Sequence, residues 1–186
     1  MHIYTQLIAL LFLFTSCNTP ASDAEKTVTD FYSWYLENYY NNENNIDLEF
    51  VIINGIQTLD TGNYFGVIRE SGFFSEKYIE SRKAQIEPCL KSINKIDTNK
   101  VQSFDGNPAE LIKGTDCSFL FYYNFLFHQG EETIGVNVYK SEINNSSAQI
   151  YLNQLGGNNK PNGFKAKVLL EKEGKWRITS IEPIEN

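Results

Sequence analysis

The feature that most constrains this chain is a change of period. From Cys117 to Glu182, apolar residues recur at every second position in runs separated by turn-forming residues. In Ser118 to His128 the odd positions are Phe119, Phe121, Tyr123, Phe125 and Phe127. The even positions there are also largely apolar, and the aromatic density favours a strand over a helix. Gln129 to Glu132 reads as a turn. Ile134, Val136 and Val138 then alternate with Gly135, Asn137 and Tyr139, and Ala148, Ile150 and Leu152 with Gln149, Tyr151 and Asn153. Gly156 to Gly163 reads as a loop. Phe164–Lys172 and Lys175–Glu182 flank Glu173-Gly174, a hairpin signal. Trp176 and Ile178 share one face of its last strand, with Arg177 and Thr179 on the other. Trp176 is expected to pack on the first long helix near Tyr35 and Tyr39.

Upstream the period is helical. Over residues 25–42, Val28, Phe31, Tyr32, Tyr35, Leu36 and Tyr39 form one apolar stripe, with Ser22 or Asp23 as cap. Leu48 to Ile53 is a short apolar segment with the character of a strand. Asp60 is placed to cap a helix carrying Tyr64, Phe65 and Ile68, stopped at Gly72. A third helix starts at Ser75, with Phe74 and Ile79 at hydrophobic-staple spacing. Pro88 is expected to kink or end it. Helices followed by serial strands predict an α+β domain with an antiparallel sheet. At 41% hydrophobic and 14% aromatic the chain has the apolar content for a core, and its 186 residues fit one domain, placed at 25–186.

The apolar run Leu7 to Phe14 spans about 12 Å as a helix, too short for a bilayer and right for a signal peptide. Thr15-Ser16 before Cys17 resembles the lipobox of bacterial lipoproteins. Residues 1–16 then form the signal peptide, Cys17 carries the lipid, and 17–24 is a flexible tether. The alternative is an ordinary cleaved signal peptide with Cys17 a bystander. Export leaves Cys89 and Cys117 in an oxidising compartment, where a bridge between them is expected, two separate buried thiols being the alternative.

Three segments look familiar: Phe31-Tyr-Ser-Trp-Tyr-Leu36, Val168-Leu-Leu-Glu-Lys-Glu-Gly-Lys-Trp-Arg-Ile178, and Gly72-Phe-Phe-Ser-Glu-Lys-Tyr-Ile79 with the Cys89…Cys117 spacing. They resemble small exported bacterial lipoprotein domains, best the domain of unknown function 3828 family, of the cystatin-like or nuclear-transport-factor-2-like superfold. The resemblance implies N-terminal helices on a curved antiparallel sheet of about four to five strands. It carries no catalytic residue.

The formal net charge is −7, which disfavours nucleic acid and suits a basic protein partner or simple solubility. His128 lacks partners at zinc-site spacing, so no metal or cofactor is expected. No Gly-x-Ser-x-Gly elbow is present. Asp30, Glu37 and Asp116 are the carboxylates to weigh for acid–base work, against a reading of Asp30 and Glu37 as solvated and of Asp116 as a turn cap before a strand. Trp34, Tyr35 and Tyr122 are candidates for an aromatic ligand cleft, against a reading as core. The resulting expectation is a lipid-tethered, non-catalytic binding module of the bacterial envelope, periplasmic or at the cell surface. An immunity or inhibitor protein against a basic toxin or lysozyme-like enzyme, and a pocket enzyme of isomerase or hydratase type, are the alternatives. Radiolabelled palmitate should enter the wild-type protein and not Cys17→Ser; equal labelling of the two overturns the lipid anchor.

Overall fold

The computed structural model describes residues 22–41, 46, 48–96, 115–117, 125–126 and 133–184. Helix α1 (Asp23–Asn41) opens on a Ser-x-x-Glu capping box. The Ser22 N–H donates to the Glu25 carboxylate at 2.8 Å, and the Glu25 N–H donates to Ser22 Oγ at 3.2 Å. Val28, Phe31, Tyr32, Tyr35 and Leu36 are all buried, as the 3.6 spacing requires. Ala24, in the first turn of α1, is fully buried too.

Strand β1 (Phe50–Ile53) is followed by β2 (Ile56–Leu59), an antiparallel partner that the reading of 48–53 as one segment does not include. Asn54 and Gly55 turn the chain between them with φ of 53° and 78°. Two successive positive φ angles are what a type I′ turn needs, and Asn-Gly is its favoured sequence. Helix α2 (Thr61–Ser71) has the expected ends: Asp60 Oδ1 accepts from the Asn63 N–H at 3.0 Å, and Gly72 is left-handed at φ 69°.

Helix α3 (Glu76–Ile93) is capped by Ser75, whose hydroxyl accepts from the Tyr78 N–H at 3.2 Å. Phe74 and Ile79 are both buried at the staple positions. The helix continues through Pro88 and does not end there. A proline in a helix interior costs about 3 kcal/mol. Beyond it Cys89 and Ile93 are buried and Leu90 is half-buried. Each large apolar side chain so buried contributes roughly 1.5–3 kcal/mol, enough to hold the turn after the proline. Cys89 is also paired in a disulfide with Cys117, with Cα atoms 4.7 Å apart.

Strands β3 (Gly135–Ile143), β4 (Ser147–Leu155), β5 (Pro161–Glu173) and β6 (Lys175–Pro183) form an antiparallel meander in that order. Ala148, Ile150, Leu152, Ala166, Val168, Leu170, Trp176 and Ile178 are buried on one face. Register shifts at Val138/Lys140, Asn153/Leu155 and Leu169/Leu170 mark one irregularity in each strand pair. Such bulges bend strands and raise their twist. Helix α1 lies across β3, β4 and β6, and α3 lies against β6 and β2.

The expected strand at 118–128 is described only at Phe125 and Leu126, which form a turn with both side chains buried. Alternation fails at this pair because side chains satisfy the backbone there. Tyr32 Oη donates to the Phe125 carbonyl at 3.2 Å, and Gln154 Nε2 donates to the Leu126 carbonyl at 2.8 Å. The rest of that segment, including His128, lies outside the described residues.

Trp176 is 8% exposed, with Lys172 Nζ 5.5 Å from its ring centroid. Of the helix neighbours expected for it, Tyr35 is buried on α1, which contacts β6, and the Tyr39 side chain is outside the described residues. Arg177 donates to the Gly72 carbonyl and so is not a neutral surface position. Trp176→Ala should lower stability by about 3–5 kcal/mol in urea melts, against at most about 0.5 kcal/mol for exposed Glu173→Ala. Equal melts would mean that the closing hairpin does not anchor the core.

Candidate functional site

The residues singled out in the sequence do not converge on one place. Tyr35 is fully buried, 6.2 Å from the Phe31 ring and 5.0 Å edge-on from Phe125. Trp34 is half-buried at the flank of the same cluster, 5.8 Å from Phe73. Tyr122 and Cys17 lie outside the described residues. Asp30 is exposed and ion-paired with Lys26 at 2.6 Å. Glu37 is exposed. Asp116 is exposed in a turn and accepts from Ser92 Oγ at 3.2 Å. Among the described residues, no three of His, Cys, Asp and Glu cluster as a metal site would require. No helix among them is long and apolar enough to cross a membrane.

Two hollows remain. One, of about 420 Å³, lies between α2 and α3 over Phe65, Ile86 and Leu90. Its rim charges are engaged within α3: Lys83 meets Glu80 and Lys91 meets Glu87, each at 2.7 Å. They read as the solvated shell of a helix. The other, of about 360 Å³, is a groove between α3 and the end of β6. Its α3 wall carries Tyr78, Ser81, Arg82 and Gln85; its β6 wall carries Thr179, Ser180 and Glu182, and Phe125 closes part of the floor.

Arg82 is the residue that makes this groove unusual. The buried residues Ile79, Ile86, Cys89 and Ile93 follow the three- and four-residue spacing of one helix face. Arg82 occupies the position between Ile79 and Ile86 on that spacing, where an apolar residue belongs. It is half-buried there. Its Nε donates to Tyr64 Oη at 3.4 Å and its Nη1 donates to Gln85 Oε1 at 3.1 Å. These bonds hold the guanidinium in one orientation beside the groove. Burial raises the Tyr78 phenol well above its usual range, with the neighbouring Tyr64 hydroxyl adding to the effect. Tyr78 therefore stays protonated.

Across the groove, Glu182 is held on both oxygens. Lys167 Nζ lies 2.7 Å from Oε2, and Ser180 Oγ donates to Oε1 at 3.0 Å. The hydrogen bond from Lys167 is the main cause of a lowered pKa, opposed by partial burial and assisted by Ser180. Sequence reasoning missed this groove; the signal that could have found it is the charge of Arg82 in the apolar register of α3. Ser180 and Glu182 gave none, because the β-bulge at Leu169/Leu170 sets which side of β6 they occupy.

Comparison with protein-family models, with curated proteins and with solved structures returned no match.

A carboxyl whose pKa is lowered by folding stabilises the fold above its unfolded value. That contribution is lost as pH falls through the lowered value, below the ordinary Glu range of about 4.3. Lys167→Ala should shift the Glu182 carboxyl titration upward in a carbon-13 NMR experiment, and Ser180→Ala should shift it upward by less. An unmoved titration in both would show that neither group holds the carboxylate.

Proposed function

We propose that this protein is an exported, lipid-tethered binding domain of the bacterial envelope, and that its ligand lies in the groove between α3 and β6. The observation that carries the reading is the groove itself, whose volume of about 360 Å³ is typical of small-ligand sites, roughly 300–1,000 Å³, and whose lining mixes polar residues of α3 with those of β6. The groove's titratable groups support binding rather than proton transfer. Glu182 is held ionised and Tyr78 is held protonated, so neither exchanges a proton near neutral pH. The long first helix lying on a bulged antiparallel meander supports the cystatin-like or nuclear-transport-factor-2-like reading of the fold. The apolar run before Cys17 and the Cys89–Cys117 pairing support export.

The test is native mass spectrometry of the full chain extracted from envelopes in mild detergent. A discrete non-covalent adduct is expected on the wild type. It should be absent from Ser180→Trp, which fills the groove. An adduct equally present on both, or on neither, overturns the assignment of the groove as the binding site.

A further inference from the structure

Away from the groove, the β1–β2 hairpin ends in an apolar tip. Ile52, Ile53 and Ile56 are each between 45 and 56% exposed, so three large aliphatic side chains meet solvent within five residues. Exposure rises along the hairpin. Leu59 is buried and Phe50 and Val51 are half-buried, whereas every residue from Ile52 to Ile56 is exposed. The Asp60 N–H donates to the Glu49 carbonyl at 2.9 Å and closes the base. The hairpin is thus rooted in the core at Leu59 and projects its tip outward. We propose that this tip enters the interface of the lipid bilayer to which the chain is tethered. The inference rests on Cys17 carrying a lipid.

Four observations favour lipid over a protein partner. The first is shape. Ile53 and Ile56 face each other across the strands and share one face, while Ile52 points to the other. A ribbon apolar on both faces is covered on one side by a protein surface and on all sides by a lipid interface. The second is depth. Two residues in each strand raise the tip by about 7 Å, within the roughly 5–10 Å to which surface-bound apolar groups sink. Deeper entry is barred, because the two strands pair only with each other among the described residues, and hydrocarbon cannot satisfy their open edges. The third is charge. No charged residue lies between Phe50 and Leu59, so none is carried in. The flanking charges, Glu49 and Asp60, are acidic like the chain's net −7, which favours lipid without net charge over anionic lipid. The fourth is reach. Residues 17–22 span at most roughly 20–22 Å before α1 begins at Asp23. A domain so held stays beside the bilayer, where a tip of modest area acts at high effective concentration.

The probe is a phosphatidylcholine vesicle in excess over the full chain extracted from envelopes. Ile53→Cys is labelled with the environment-sensitive dye NBD. Glu173→Cys, at the exposed turn between β5 and β6, carries the same label as the control. Cys89 and Cys117 are paired and do not compete for it. On vesicles the Ile53→Cys label should shift to the blue and become several-fold less accessible to aqueous iodide. It should also be quenched by lipid bearing a nitroxide near the top of the acyl chain. The control label should do none of these. Adding Ile52→Asn and Ile56→Asn should return the tip label to the control's behaviour. Both positions are exposed, so an unchanged urea melt separates lost insertion from lost fold. A tip label that behaves like the control from the start overturns the proposal, as does a shift that survives the two asparagines. A label shielded from iodide but untouched by the nitroxide lipid overturns it too, because a second copy or another protein then covers the tip. Failure of the anchor is read separately: the unsubstituted chain takes label at Cys17 only if no lipid is there, and the tip label on excess vesicles decides the hairpin in either case.

Discussion

The arrangement of this domain depends on the join between the segment before α3 and the outer edge of β6. Ser75 donates its N–H to the Ile178 carbonyl at 3.0 Å, and the Ile178 N–H donates to the Phe73 carbonyl at 2.8 Å. The same Ser75 hydroxyl caps α3. One residue thus ends the bridge to the sheet and starts the helix. Residues 73–75 satisfy part of an edge that would otherwise present open N–H and C=O groups. They also fix where the first turn of α3 stands relative to β6. The groove is the space left between those two elements as they diverge from the join.

The aromatic cluster behind this join is centred on Phe31, whose ring lies within 5.0 to 6.2 Å of Tyr32, Trp34, Tyr35, Phe73, Phe74 and Phe125. These rings come from α1, from the α2–α3 connection and from the turn at 125–126. Edge-to-face contacts of this kind hold ring orientation as well as bury area. Phe125 is shared between that cluster and the floor of the groove.

What could be read from the sequence was what local chemistry decides. Asp60, Gly72 and Ser75 act at helix ends through bonds to residues three or so positions away, and each sits where its residue type predicts. Ala148, Ile150 and Leu152 alternate because one face of β4 is buried, and the sequence carries that period directly. Pro88 is different, since whether a helix survives it depends on what the next turn buries, and that is settled by Cys89 and Ile93 meeting the core. Phe125 and Leu126 are different again. Their carbonyls are satisfied by the Tyr32 and Gln154 side chains, 93 and 28 residues away, and no local period encodes such partners. The β1–β2 hairpin was legible in principle from Asn54-Gly55, a signal that outweighs the shortness of its strands.

The candidate site follows the same division. Arg82 was legible only in principle, as a break in the apolar face of α3, and such breaks concentrate where a chain departs from the optimum for folding. Its counterpart Glu182 was not visible, because in β6 every second residue faces outward and a carboxylate there is ordinary. Only the pairing of β6 with β5, carried past the bulge to Lys167↔Glu182, brings that carboxylate beside Lys167 at the end of the sheet where α3 passes. A helix residue that departs from its pattern and a strand residue that keeps its own thus both border one groove.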